Sequence, residues 1–118
     1  MNNLVIVAHP DDETLFMGGT LAKRRKEYWK IVCVTTDIEH GRDPQFVNVC
    51  KLLQMSYSQL GFKMGWKPHV PKWDMTALGA AIRDLLLERK WDRVWTHNKV
   101  GEYGHPQHKL VYEAVWAQ

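Results

Sequence analysis

Cysteine is scarce in this chain: two residues, Cys33 and Cys50, among 118. Both lie in apolar settings on a predicted strand and a predicted helix, so they read as reduced core residues of a cytoplasmic protein. Long apolar runs are missing as well. The longest falls far below the ~20 residues that a membrane span needs. The apolar start runs straight into His9 and Asp11, so no signal peptide is expected. The net charge is only +3, and the one basic run, Lys23-Arg-Arg-Lys26, is too short to claim nucleic acid; it reads as a solvated helix face. No Gly-x-Gly-x-x-Gly follows the first apolar run, which speaks against a dinucleotide-binding domain. Repeats, low-complexity segments and linkers are also lacking.

What is there suits one globular domain spanning residues 1–118. Hydrophobic residues make up 45% and charged residues 25% of the chain, the balance of a folded domain with a single core. Leu4 to Ala8 predicts a first strand and Thr14 to about Trp29 a helix. Ile31 to Thr35 is continuous and β-branched, hence a second strand. Asp37 to Asp43 reads as a loop. Asp43-Pro44 signals a helix start, with Asp43 as cap and Pro44 at the first helical position. Phe46, Val49, Cys50, Leu53, Tyr57 and Leu60 repeat at helical spacing, and Gly61 would close that helix. Phe62 to Trp73 carries Gly65, Pro68 and Pro71 and reads as loop with at most a short strand. Asp74 can cap a further helix, in which Leu78, Ala81, Ile82, Leu85 and Leu86 form an amphipathic stripe. Arg93 to Thr96 reads as another strand, and Pro106 as the first residue of a last helix. Strands alternating with helices predict an α/β domain: three layers, Rossmann-like, a mostly parallel sheet with helices on both faces.

Two segments carry chemistry. In Leu4-Val-Ile-Val-Ala-His-Pro-Asp-Asp-Glu13 a short apolar run ends in a histidine and three carboxylates. In Gly104-His-Pro-Gln-His108 two histidines lie three residues apart. His9 and Asp12 are likewise three apart, and each pair can point into one space. Catalytic zinc takes three ligands from His, Asp or Glu and keeps one position for water. If the first and fourth strands are neighbours, the two strand-to-helix junctions meet at a topological switch point, where open α/β sheets place ligands. Each motif alone has a plain structural reading: carboxylates in a first helical turn, or an end residue and a surface histidine. Together, each at a strand's end, they point to a metal site. His97 can support such a site or be an ordinary strand exit. His40 and His69 have no partner pattern and read as loop residues. Of the six tryptophans, Trp66 and Trp73 could stack on a ligand ring, but core is the simpler reading.

The motifs Ala8-His-Pro-Asp-Asp-Glu13 and Thr96-His-Asn-Lys-Val-Gly-Glu-Tyr-Gly-His-Pro-Gln-His108 resemble those of the LmbE-like, or PIG-L-like, zinc-dependent deacetylases. The order of elements is similar over nearly the whole chain. The resemblance implies His9, Asp12 and His108 as ligands of zinc or another divalent ion, and Asp11 as general base. It implies that His105 polarises the amide carbonyl or protonates the leaving amine, and that Tyr103 helps to stabilise the oxyanion. Arg42 would match a substrate-contacting arginine. The implied reaction is removal of an N-acetyl group from an N-acetylglucosamine-type conjugate by metal-activated water.

Two departures stand out. Many relatives have Asp where this chain has Gln107; a glutamine can accept the same hydrogen bond from a histidine, here His105, without adding charge. The chain is also shorter than the usual family domain, as a minimal version, a fragment, or half of a site completed by another subunit. A sheet ending at the fourth strand leaves an open edge, so a homo-oligomer or a covering segment is expected. Two rivals compete. A receiver-type signalling domain would bind magnesium, but it needs an aspartate at its third strand and a later lysine, and has no use for His9, His105 and His108. A remnant that binds metal or sugar without catalysis is countered by Asp11, which zinc binding does not require.

Overall fold

The computed structural model describes residues 1–37, 41–65 and 70–118, and the side chains of all of these except residues 13–15. His40, His69 and Trp66 fall outside the described residues. Four parallel strands, β1 (Asn2–Val7), β2 (Tyr28–Thr36), β3 (Ser56–Lys63) and β4 (Arg93–Trp95), form one sheet in the order β3-β2-β1-β4. Between and after them come α1 (Asp12–Lys23), α2 (Arg42–Leu52), α3 (Met75–Leu87), the single turn α4 (Gly101–Gly104) and α5 (Pro106–Trp116).

The apolar run of β1 is continuous because both of its faces are covered. Leu4, Ile6 and Ala8 pack with Val32 and Val34 against Leu78, Ile82 and Leu85 of α3 and Val111 and Ala114 of α5. Val5 and Val7 turn the other way, with Ile31 and Cys33, onto Leu21 of α1 and Phe46 and Cys50 of α2. The predicted α/β architecture with helices on both faces is therefore the one found. Asp74 caps α3 as expected: its Oδ1 accepts from the N–H groups of Thr76 and Ala77 at 3.0 and 3.1 Å, a contribution of about 1 kcal/mol. Pro106 opens α5, again as expected.

Three boundaries differ from the sequence expectation. α1 ends at Lys23, and Tyr28 and Trp29 begin β2. Trp29 is buried with the α1 and α2 cluster, and its indole N–H donates to the Arg24 carbonyl at 2.9 Å, which fixes it at a strand start. The cap of α2 is Gly41, at φ 67°. Asp43 instead accepts at Oδ1 from the Asp37 N–H and the Gln59 side chain, tying the β2 exit to β3. Finally, α2 ends at Leu52, and Tyr57 and Leu60 lie on β3. Gly61 does not close the helix: it stands in β3 at φ 80°. There β3 advances from Gln59 to Phe62 while β2 advances from Cys33 to Thr35, a bulge with one extra residue that favours glycine.

Trp73 belongs to the core and donates its indole N–H to the Lys63 carbonyl at 2.8 Å. Among the described residues β4 pairs only with β1, over three residues. Beside this edge runs a groove of about 660 Å³ lined by Leu86, Val94, Trp95, Tyr112, Val115 and Trp116 among others. No helix of the described residues is long and apolar enough to cross a membrane.

Candidate active site

Strand order reverses at β1. β2 and β3 lie to one side of it and β4 to the other, so the crevice at the C-terminal ends of β1 and β4 is the topological switch point. Both sequence motifs open into it. The end of β1 is held on both sides. Thr35 donates from its N–H and its hydroxyl to the Ala8 carbonyl, at 3.0 and 2.7 Å. On the β4 side, the Thr96 hydroxyl donates to the Ile6 carbonyl at 2.8 Å, and the Ala8 N–H donates to His97 Nε2 at 2.9 Å. The chain then turns tightly into α1. The His9 N–H donates to Asp12 Oδ2 at 2.9 Å, and the Asp12 N–H returns to the His9 carbonyl at 3.2 Å.

Three donor atoms converge in this crevice. His9 Nδ1 and His108 Nε2 lie 3.1 Å apart, His9 Nδ1 and Asp12 Oδ2 3.3 Å, and His108 Nε2 and Asp12 Oδ2 3.2 Å. A tetrahedral zinc site with bonds of 2.0–2.1 Å has ligand–ligand edges of about 3.3 Å. The outer nitrogens fix which atoms face inward. Gln107 takes the Gly65 N–H at Oε1 and gives its amide to the Lys63 carbonyl, so its oxygen faces His9. His9 therefore donates from Nε2, at 2.7 Å, and presents the Nδ1 lone pair inward. His108 donates from Nδ1 to Glu102 Oε1 at 3.1 Å and presents Nε2 inward. Two lone pairs and a carboxylate oxygen thus face one another in a buried space, a donor set that suits a divalent cation. Burial would raise the Asp12 pKa, but the imidazoles of His108, His9 and His97, which bond to it when they are protonated, hold it far below the usual carboxylate range.

Two other donor groups are close enough to hold an ion: His9 with His105 and His108, and Asp12 with His97 and His108. His97 is poorly suited to the role, because its Nε2 already accepts the Ala8 N–H. It lies 3.9 Å from His108, ring centroid to ring centroid and nearly parallel, while His105 stacks on the other face at 4.7 Å. Phe16 meets His97 and His108 edge-on.

The loop before α5 is tightly built. Asn98 Oδ1 accepts from the N–H groups of Val100 and Glu102, and the Asn98 N–H donates to Glu102 Oε2. Gly101, at φ 69°, passes so close to α5 that a Cβ would lie 3.0 Å from Lys109 Cγ and 3.3 Å from His108 Cβ, which requires glycine. Glu102 has φ 61° and ψ −78°, a region that costs a non-glycine residue about 1–3 kcal/mol.

Asp11 caps α1 at φ 103°, without a side-chain capping bond, and its carboxylate is about half exposed. Arg42 lies not in the loop after β2 but at the first position of α2. It donates to Asp11 Oδ1 at 2.7 Å and to the Pro10 carbonyl at 2.9 Å. His105 caps α5, accepting the Gln107 N–H at Nδ1, 3.1 Å. The side chain of Gln107 goes to His9 and not to His105, contrary to the sequence expectation, because residues 105 and 107 point apart on the first turn of α5. Burial first, and then the charges of His9 and His108, push the His105 pKa down to about 4. Tyr103 is exposed at the rim, 5.5 Å from the His108 ring. Partial burial and the charges of Asp12, Asp11 and Glu102 raise its phenol. Glu102 was not foreseen in the sequence. Its one signal is a lone carboxylate among small and aromatic residues immediately before the second motif.

Comparison with known proteins gives a consistent result. The family model described as PIG-L, GlcNAc-PI de-N-acetylase, matches residues 4–118. An uncharacterised protein of Acanthamoeba polyphaga mimivirus is 28% identical, over 98% of this chain and 56% of its own length. A 1D-myo-inositol 2-acetamido-2-deoxy-alpha-D-glucopyranoside deacetylase of Saccharopolyspora erythraea is 26% identical, over 97% of this chain and 52% of its own length. The chain spans about half the length of the curated relatives it matches.

Proposed function

The chain belongs to the PIG-L family of GlcNAc-PI de-N-acetylases, and from that premise we propose that it is a zinc-dependent hydrolase that removes the N-acetyl group from an N-acetylated amino sugar in a conjugate. The observation that carries the reading is the triangle of His9 Nδ1, Asp12 Oδ2 and His108 Nε2, with sides of 3.1 to 3.3 Å. We assign these three as the ligands. The family description and the name of the Saccharopolyspora erythraea relative both place an acetamido group on a sugar carried by inositol, which supports the substrate class.

When bound, zinc supplies Lewis acidity and a water whose pKa is near 7. Asp11, half exposed at the cap of α1 and next in sequence to Asp12, takes the proton of the attacking water and passes it to the departing amine. Arg42, bonded to Asp11 Oδ1, holds that carboxylate while leaving part of its guanidinium for substrate. His105 is neutral at pH 7, and its Nδ1 is committed to the Gln107 N–H, so its proton is on Nε2. It acts as a hydrogen-bond donor to the developing oxyanion; that leaves proton delivery to Asp11. One such donor is worth about 3 kcal/mol in the transition state. Tyr103, with its phenol raised and protonated, is a second donor from the rim.

Elemental analysis of protein purified without chelator or metal-binding tag tests the ligand set. About one zinc per chain is expected, together with acetate release from a panel of N-acetylglucosamine conjugates. No uptake after added zinc would overturn the reading, and zinc uptake without acetate release would favour a remnant. Two further expectations stay with this proposal. A second copy covers the β4 edge, since among the described residues β4 pairs only with β1; a monodisperse monomer would refute it. A cytoplasmic location rests on reading the buried Cys33 and Cys50 as reduced core residues; thiol counting on the unfolded native protein checks it.

A further inference from the structure

Glu102 does more than complete a turn. Its Oε1 accepts from His97 Nδ1 at 2.5 Å and from His108 Nδ1 at 3.1 Å, and both rings are buried. Its Oε2 accepts the Asn98 N–H at 2.8 Å, and the Glu102 N–H is held by Asn98 Oδ1 at 2.9 Å. This strap keeps the residue at φ 61°, ψ −78°, where a glycine would be relaxed and a glutamate is not. Strain of this kind persists where the surroundings impose it and points to a use for the side chain. The use is visible in the partners. A carboxylate can only accept, so both rings must carry their proton on Nδ1. His97 then accepts the Ala8 N–H at Nε2, and His108 turns Nε2 toward Asp12 and His9.

We infer that Glu102 is a positioning residue of the metal centre, holding His108 in one tautomer and one orientation and, through His97, tying the second motif to the end of β1. The inference rests on the proposed reading of His108 as a ligand. An amide could not replace the carboxylate. With its oxygen on the histidines, a glutamine would set its NH2 against the Asn98 N–H; turned round, it would set NH2 against both ring N–H groups.

The test compares Glu102→Gly with wild type, first without metal and then by zinc titration against a competing chelator. Glu102→Gly relieves the backbone but leaves the Nδ1–H groups of two buried histidines without their acceptor, so it should fold and melt no higher than wild type in chelator. Its zinc affinity should fall 10- to 100-fold, the usual effect of losing such a partner. Long-range 1H–15N spectra of the metal-free proteins should show His108 as the Nδ1–H tautomer in wild type and as a mixture in the variant. Wild-type affinity and an unchanged tautomer in Glu102→Gly would overturn the inference. If Glu102→Gly does not fold, Glu102→Gln is expected to show the same loss of affinity, and unaltered affinity there would overturn it equally. A wild-type protein that takes up no zinc overturns the metal reading and this inference with it; zinc uptake equal in wild type and variants overturns the inference alone.

Discussion

His105 links the site to stability through pH. In the unfolded chain its imidazole has the ordinary pKa of 6.5; in the folded protein, burial and the neighbouring His9 and His108 lower it to about 4. Between these values the unfolded state binds the extra proton, so stability rises with pH. The contribution is fully present above pH 6.5 and is lost as the pH falls through about 4. At 1.36 kcal/mol per pH unit the whole interval is worth about 3 kcal/mol, and the part between pH 7 and 5 about 2 kcal/mol. Urea unfolding in chelator at pH 7, 6 and 5 measures it, with His105→Asn as the comparison. Asparagine keeps an acceptor for the Gln107 N–H and so keeps the α5 cap, but it does not titrate. Other histidines lend both proteins a common pH dependence, and the difference in slope belongs to His105. Wild type should lose about 2 kcal/mol more than the variant from pH 7 to 5. Parallel slopes would show that His105 is not held neutral, and its assignment as a neutral donor to the oxyanion would fall with it.

Asp11→Asn, chosen because asparagine tolerates positive φ, should keep zinc and lose about 10²- to 10⁴-fold in deacetylation rate; a rate near wild type would remove Asp11 from the role of base. Gln107→Leu leaves the buried His9 Nε2–H without its acceptor, at about 1–3 kcal/mol in unfolding free energy, while Lys63 and Gly65 can turn to water. Zinc affinity should drop about 10- to 100-fold alongside, and intact affinity by chelator competition would refute the part given to Gln107. Ile82→Ala empties a fully buried position between α3 and β1 and should cost about 2–5 kcal/mol in urea unfolding; a loss under about 0.5 kcal/mol would mean that α3 does not close that core face.

The elements that could be read from sequence were those whose period and punctuation agreed. Asp74 before the Leu78, Ile82, Leu85 stripe gave one outcome for α3, and the β-branched run after Lys30 gave one for β2. The segment from Phe46 to Leu60 misled because its apolar spacing is helical, while the break at Leu53-Gln54 carries no glycine or proline; Gln54 turns the chain at φ 57°. Gly61 looked like a helix stop because a positive-φ glycine serves a helix end and a β-bulge equally well. His9, Asp12, His105 and His108 were legible as candidates, since strand ends and three-residue spacing bring both pairs to one crevice; the choice of His9, Asp12 and His108 among them came from the family resemblance alone. The partners that set their tautomers were not. Gln107 reaches across to His9 and Glu102 reaches His97 and His108 through a backbone turn that only three-dimensional packing imposes.

The donor triangle joins residues 99 positions apart in sequence, across a β1–β4 seam only three residue pairs long. In a chain with so few cysteines, an ion held there would act as the domain's covalent-like staple. A disulfide closing a loop of that length is worth about 4.7 kcal/mol in the chain-entropy view, and a metal that binds only the folded chain stabilises it by RT ln(1 + [L]/Kd). Losing the ion would therefore loosen more than the crevice: it would unpin the end of β1 from the first turn of α5, and the three-residue β4 would be the first strand to fray.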